Sequence, residues 1–197
     1  MFLGSDSADE VAVSQGKDTM AVDLNGEGRG PDDEPELLTT MRLAPLIMLS
    51  GPGDDFISAE STISSKGSAG RIRGTFHTGS GDDVVIGTPG RDEVDGGPGK
   101  DRIRGLGGDD GGTGVDTNLT GGRGTDTVFG GTGNDVIGGY TNRTEDSGRD
   151  ELFGGPGSDS FIERDGFADA INCGPGVEEE VQSDRLDILS SCAVGRR

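Results

Sequence analysis

Residues 121–138 read GGRGTDTVFGGTGNDVIG, a nine-residue phrase written twice: Gly-Gly-x-Gly-x-Asp-x-U-x, with U apolar. The phrase recurs at 96–104 (GGPGKDRIR) and 154–162 (GGPGSDSFI) with its glycines and aspartate intact. Each part has a physical job. Glycine lets the chain turn with positive φ and bring bare carbonyls close to something small. A carboxylate at a fixed place supplies hard anionic oxygen. The single apolar residue gives a three-residue strand one side chain to bury.

Imperfect copies extend the array. Residues 78–86 (TGSGDDVVI), 87–95 (GTPGRDEVD) and 105–113 (GLGGDDGGT) keep the fourth-place glycine and the sixth-place aspartate, and 50–58 (SGPGDDFIS) fits with serine first. The sixth place holds Asp83, Asp92, Asp101 and Asp110 in steps of nine, then Asp126 and Asp135, then Asp150 and Asp159. The eighth place holds Val85, Val94, Ile103, Val128, Ile137, Leu152 and Phe161, with Ile171 one residue out of step.

Composition says what such an array lacks. In 197 residues there are 37 Asp plus Glu against 17 Lys plus Arg, a net charge of −20, and only 29% hydrophobic residues. Chains of low hydrophobicity and high charge stay disordered unless something else supplies cohesion. A divalent cation fits in sign, place and ligand type. Calcium accepts carboxylates and carbonyls in irregular geometry, whereas magnesium demands a strict octahedron. Zinc fits poorly, because Cys173, Cys192 and His77 form no ligand-spaced cluster. The negative field repels nucleic acid, and no twenty-residue apolar run spans a membrane. One histidine excludes His-Glu-x-x-His, and Gly-x-Ser-x-Gly is absent, so no enzyme is expected.

The nonapeptides resemble the RTX, or haemolysin-type, calcium-binding repeats over about residues 78–180. The resemblance implies an all-β, right-handed parallel β-roll (a β-helix or solenoid) in which two nonapeptides make one coil. It implies several calcium ions, bound between turns stacked eighteen residues apart. Carbonyls would come from the first, second and fourth places and a carboxylate from the sixth. Carried onto this chain, one edge has Gly79, Gly81 and Asp83 stacked on Gly97, Gly99 and Asp101. The other has Gly90 and Asp92 on Gly108 and Asp110. Later copies offer Gly122, Gly124 and Asp126; Gly131, Gly133 and Asp135; Asp150; and Gly155, Gly157 and Asp159. Gly112 leaves its strand nothing to bury, and Asp101 meets Leu119 rather than an aspartate eighteen residues on. The roll is therefore expected as three short blocks interrupted by loops near 113–120 and 139–147, with about four to six ions.

The tail CGPGVE from Cys173 resembles the ending of a secreted, actinobacteria-like subtype of the family. That likeness implies a Cys173–Cys192 disulfide, a strand over 184–189 and an oxidising, extracellular compartment. The expected organisation is a disordered acidic tail over 1–40, degenerate coils or a cap over 41–77, the calcium roll over 78–172 and a disulfide-closed cap over 173–197. Ile57, Ile63, Ile72 and Phe76 are the expected inward residues of the degenerate coils. Asn118 and Asn142 match the glycosylation acceptor pattern by coincidence. The function expected is calcium binding by a secreted module that folds on meeting the ion, with no named protein partner. A surface scaffold or adhesin, and a loosely buffering disordered tail, stay open beside it.

Overall fold

The computed structural model describes residues 46–61, 73–112, 118–138, 148–176 and 180–192, together with strand backbones at 2–3, 10–15, 19–25 and 37–39. The described residues are strands and turns, without a helix. The short strands that the repeats predict stack into two sheets of eight and ten strands. One sheet runs through Leu46–Pro52, Gly74–Ser80, Asp92–Gly99, Leu119–Gly124, Val136–Gly138, Ser160–Ile162 and Glu180–Gln182. The other runs through Phe56–Ser61, Val84–Ile86, Arg102–Gly107, Thr127–Thr132, Glu151–Phe153, Ala170–Asn172 and Ile188–Ser190. The chain crosses from one sheet to the other at every turn. Neighbours among these strands are therefore parallel and belong to successive coils. This is the parallel β-roll that the nonapeptides predict.

The core is a double file of eighth-place side chains. Val85, Ile103, Val128, Leu152 and Ile171 line one sheet, and Val94, Ile137 and Phe161 the other, all buried. Ile57 and Phe76 extend the files upstream, as expected; Ile63 and Ile72 lie outside the described residues. Along the three-residue strands each file is one side chain wide, because such a strand contributes one inward place.

Three expectations are corrected. The loops do not split the roll into blocks. Leu119 pairs in register with Val94 above and Ile137 below, and is fully buried. It fills the inward place that Gly112 cannot. Gly111 bonds to the coil above through the Asp92 carbonyl and Leu119 takes the eighth place, so the inserted residues fall between the sixth and eighth places of one repeat and the ladder runs on. Asn118, next to Leu119, is buried and its side-chain amide donates to the Gly138 carbonyl at 3.3 Å. Second, the strand expected over 184–189 is shorter: 184–187 turn, and only Ile188–Ser190 is strand. Asp184 and Asp187 bend it by accepting from the N–H groups of Leu186 and Asp184. Third, inside the stretch expected as an acidic tail, Glu10–Gln15 and Thr19–Asn25 pair antiparallel, and Glu10–Gln15 continues the second sheet beside Phe56–Ser61. The apolar alternation Val11, Val13 and Met20, Val22, Leu24 carries that signal beneath the acidic composition.

Cys173 and Cys192 are bonded, with Cα atoms 4.9 Å apart. The bridge ties the last coil to the one above it, and Cys173 is fully buried beneath the core file. Cys192→Ser is expected to destabilise the calcium-loaded protein by about 3 kcal/mol, read as a lowered thermal midpoint. A midpoint indistinguishable from wild type would show that the last coil is held without the bridge.

Candidate metal centre

The turns pile up along two edges. At the edge leading into the second sheet, each sixth-place aspartate accepts the main-chain N–H of the aspartate one coil earlier. The series runs from the Asp55 N–H to Asp83 Oδ1 at 2.7 Å, Asp83 to Asp101 at 2.8 Å and Asp101 to Asp126 at 2.7 Å. It continues from Asp126 to Asp150 at 2.8 Å, Asp150 to Asp169 at 2.9 Å and Asp169 to Asp187 at 3.2 Å. The sequence steps are 28, 18, 25, 24, 19 and 18 residues, yet the bond is the same. The second edge repeats it, from Asp92 to Asp110, Asp110 to Asp135 and Asp135 to Asp159. The structure thus brings together the expected pairs Asp83/Asp101 and Asp92/Asp110. It also gives Asp101 a partner in Asp126, which eighteen-residue counting missed. Asp55, Asp169 and Asp187 join the same column. Their signal was the Asp-Asp doublet at 54–55 and the eighteen-residue step from 169 to 187.

The carboxylates are buried, each 3% exposed or less from Asp83 to Asp159. One oxygen is used by the ladder. The other, Oδ2 of Asp101, Asp110, Asp126 and Asp135, is also shut off from solvent and receives no hydrogen bond. A buried, charged oxygen without a donor costs several kcal/mol unless a cation meets it or a proton neutralises it. Burial, acting first, pushes Asp101 up to about 8, Asp110 to about 9, Asp135 to about 7 and Asp126 to about 6. Neighbouring carboxylates add to the rise: Asp126 and Asp83 act on Asp101, and Asp92 and Asp135 act on Asp110. Asp92 departs from the pattern. Thr88, in the second place of its repeat, donates its N–H at 2.6 Å and its hydroxyl at 2.7 Å to the two Asp92 oxygens, and Gly74 adds a third bond at 2.8 Å.

The first-place glycines lack the side chain that would cover these oxygens. A Cβ built on Gly105 would meet Asp110 Oδ2 and the Gly130 carbonyl, and one on Gly130 would meet Asp135 Oδ2 and the Gly154 carbonyl. On the other edge, a Cβ on Gly96 would meet Asp101 Oδ2 and the Gly121 carbonyl. Each such space is therefore walled by a carboxylate oxygen of its own turn and a carbonyl of the next coil. Among the described residues no group of three His, Cys, Asp or Glu side chains is placed to hold a metal. Carbonyls and carboxylates of this kind are the oxygen ligands that calcium accepts, whereas zinc is bound mostly by His and Cys. His77 stands apart on a half-exposed strand face, its Nδ1 3.5 Å from Asp95, whose hydrogen bond raises its pKa.

The other predicted glycines hold the turns in shape. Gly79, Gly97 and Gly122 stack at the second place and Gly81, Gly99 and Gly124 at the fourth, each with its Cβ position pointing at the carbonyl of the glycine above. Gly133 and Gly157 stack likewise under Gly108, which itself lies under Gly90, and Gly155 lies under Gly131. Leu106 sits where Gly131 and Gly155 sit one and two coils on, and its φ is +77°. A left-handed conformation costs a residue with a side chain about 1 kcal/mol or more. Leu106→Gly is therefore expected to stabilise the roll by about 1 kcal/mol, measured as a higher midpoint of urea unfolding in calcium. A lowered midpoint would mean that the Leu106 side chain contributes more than its strain costs.

Residues 77–111, 111–140 and 146–162 match the RTX calcium-binding nonapeptide repeat, in four copies. Comparison with curated proteins and with solved structures gives no match. Repeats of this kind bind several calcium ions, and the donorless carboxylates and carbonyl-walled turns fit that ion. The stretch from 77 to 162 of this chain belongs to the RTX calcium-binding nonapeptide repeats.

Proposed function

We propose that this chain is a secreted calcium-binding module whose roll assembles as calcium enters the turns. Asp83, Asp101, Asp126 and Asp150 supply carboxylate oxygen at one edge and Asp110, Asp135 and Asp159 at the other. Carbonyls of the first, second and fourth places complete each shell. Asp92, already satisfied by Thr88 and Gly74, serves the turn more as a structural acceptor. The observation that carries this reading is the buried Oδ2 atoms of Asp101, Asp110, Asp126 and Asp135, which receive no hydrogen bond. Without a cation, each coil added to the stack adds another uncompensated negative charge to a protein already at −20. An oxidising compartment, which the Cys173–Cys192 bridge favours, is also where millimolar calcium meets an exported chain.

The test is a calcium titration of chelated protein followed by far-UV circular dichroism. A cooperative gain of β signal is expected, and Asp101→Ala should raise the calcium midpoint severalfold. An unchanged midpoint would remove Asp101 from the ligand set, and weak binding without a change in signal would leave an acidic buffer. One observation favours a scaffold role alongside calcium binding. On the outer face of the second sheet Phe129 and Phe153 stack with ring centroids 4.7 Å apart, and the Arg102 and Arg104 guanidinium groups lie 5.5 and 5.6 Å from the Phe129 ring. Ion binding at the edges does not use this face.

A further inference from the structure

The two sheets stop at the same coil. Among the described residues, Glu180–Gln182 pairs with Ser160–Ile162 alone and Ile188–Ser190 with Ala170–Asn172 alone. The Glu180 N–H donates to the Asp159 carbonyl at 3.1 Å, and the Glu163 N–H to the Gln182 carbonyl at 2.7 Å. In the other sheet the Ile188 N–H donates to the Asp169 carbonyl at 2.7 Å, and the Cys173 N–H to the Ser190 carbonyl at 3.1 Å. Successive residues of a strand direct their N–H and C=O groups to opposite sides, so alternate residues serve alternate neighbours. Val181 and Leu189, between those bonded residues, therefore turn both groups toward the open side.

The same end is apolar. In the coils above, Phe161 and Ile171 are fully buried at the eighth place. Leu189, in register with Ile171, is 41% exposed, and Ile188 beside it is 68% exposed. The terminal repeat of a solenoid stays soluble alone by presenting a polar outer face, and free strand edges are commonly blunted by lysine or proline. Neither residue occurs in Glu180–Gln182 or Ile188–Ser190. The Cys173–Cys192 bridge fastens this coil to the one above but does not cover it.

We propose that this end of the roll is a dimer interface, and that its partner is the same end of a second copy of this chain. A two-fold axis along the sheet normal keeps each sheet in its own layer and reverses its strands. One axis thus sets Ile188–Ser190 and Glu180–Gln182 each antiparallel to its own copy. With the eighth place at the centre, Leu189 faces the second copy's Leu189 and the two exchange both N–H to carbonyl bonds, the hydrogen-bonded pair of an antiparallel ladder. Val181 does the same in the other sheet, and the inward side chains close the core from both sides. The charges also suit self-pairing. Antiparallel register sets Glu180 against Gln182 rather than against a second glutamate, and Ile188 against Ser190. The turn that carries Asp184 and Asp187 lies at one edge of the roll, so the axis sends the two copies of it to opposite edges. Such an interface is isologous and closes at two chains. The net charge of −20 on each chain opposes association at longer range, so added salt should tighten the dimer.

The experiment is sedimentation equilibrium of the whole chain in millimolar calcium, with sodium chloride varied and far-UV circular dichroism recorded on the same samples. Wild type is expected to approach the mass of two chains as its concentration rises, and to do so at lower concentration in higher salt. Leu189→Lys should hold the mass of one chain with wild-type β signal. Its ammonium reaches water from an open end, whereas in the dimer two would face each other inside the closed core. A wild type that keeps the mass of one chain at every concentration overturns the proposal, and so does a dimer that survives Leu189→Lys. If Leu189→Lys loses β signal, Leu189→Pro is read instead. Proline there removes the N–H directed at the second copy and none that bonds to the coil above. The mass of one chain then supports the interface, and the mass of two overturns it.

Discussion

Gly124→Ala is expected to abolish the calcium-loaded roll. A Cβ at 124 would overlap the Gly99 carbonyl one coil above, and φ there is +141°, where residues with side chains are strained whatever the space. Neither fault relaxes cheaply. Moving the turn away breaks the N–H bond from Asp101 to Asp126, and moving the upper turn disturbs Gly99 against Gly81 in the same way. The loss should exceed about 4 kcal/mol, the range of backbone strain and overpacking combined. Circular dichroism in saturating calcium should show little β signal, while Arg123→Ala beside it, at an exposed side chain, should fold normally. A Gly124→Ala protein with wild-type signal and midpoint would mean that the turns are not packed carbonyl against glycine.

Acid should substitute in part for calcium. The carboxylates of Asp101, Asp110, Asp126, Asp135 and Asp169 have folded values of about 6 to about 9, against an ordinary value of 3.8. A folded pKa above the unfolded one means that the folded chain binds protons more tightly. The stabilisation from protonation is therefore complete below the unfolded value and is lost as pH rises through the folded ones. Metal-free protein is expected to be unstructured near the top of that folded range, about pH 9, and to gain β signal as pH falls below its lower end, about pH 6. Because the groups lie in files and repel one another, they titrate as a set over a broad range. Calcium competes with those protons, so its midpoint should rise as pH falls, and binding at neutral pH should release protons into a weak buffer. Chelated protein whose signal ignores pH across this range, or calcium binding with no proton release, would contradict the buried-carboxylate picture.

Much of this was legible in sequence because each signal was local. A three-residue strand between two glycine turns has one inward place, so Val85, Ile103 and Phe161 could be assigned to the core by counting to eight. The pairs Asp83/Asp101 and Asp92/Asp110 followed from the eighteen-residue coil. What counting could not reveal was how insertions are absorbed. Leu119 read as a missing aspartate, whereas it is the inward residue of a repeat that the loop cuts in two. Ladder bonds depend on the coil closing, and coils of 24 or 25 residues close as well as those of 18 do. The turn at 163–169 was hidden for a different reason: its first-place glycine is gone, and only the spacing of Asp169 and Asp187 preserves the column. Thr88 was equally silent, since a hydroxyl in the second place reads as a degenerate glycine rather than as a clamp on Asp92.

The aspartate ladder has a direction. Every sixth-place bond runs from a main-chain donor to a carboxylate supplied by the coil that follows. At the fifth place the direction reverses: the N–H groups of Asp82, Lys100 and Asn134 donate to the carboxylates of Asp54, Asp82 and Asp109 in the coil before. Stripping a coil from either side therefore takes away a carboxylate on which the neighbouring turn relies. Each coil is thus clasped from both neighbours, and the sulfur bridge between Cys173 and Cys192 adds a covalent clasp to that pair of coils.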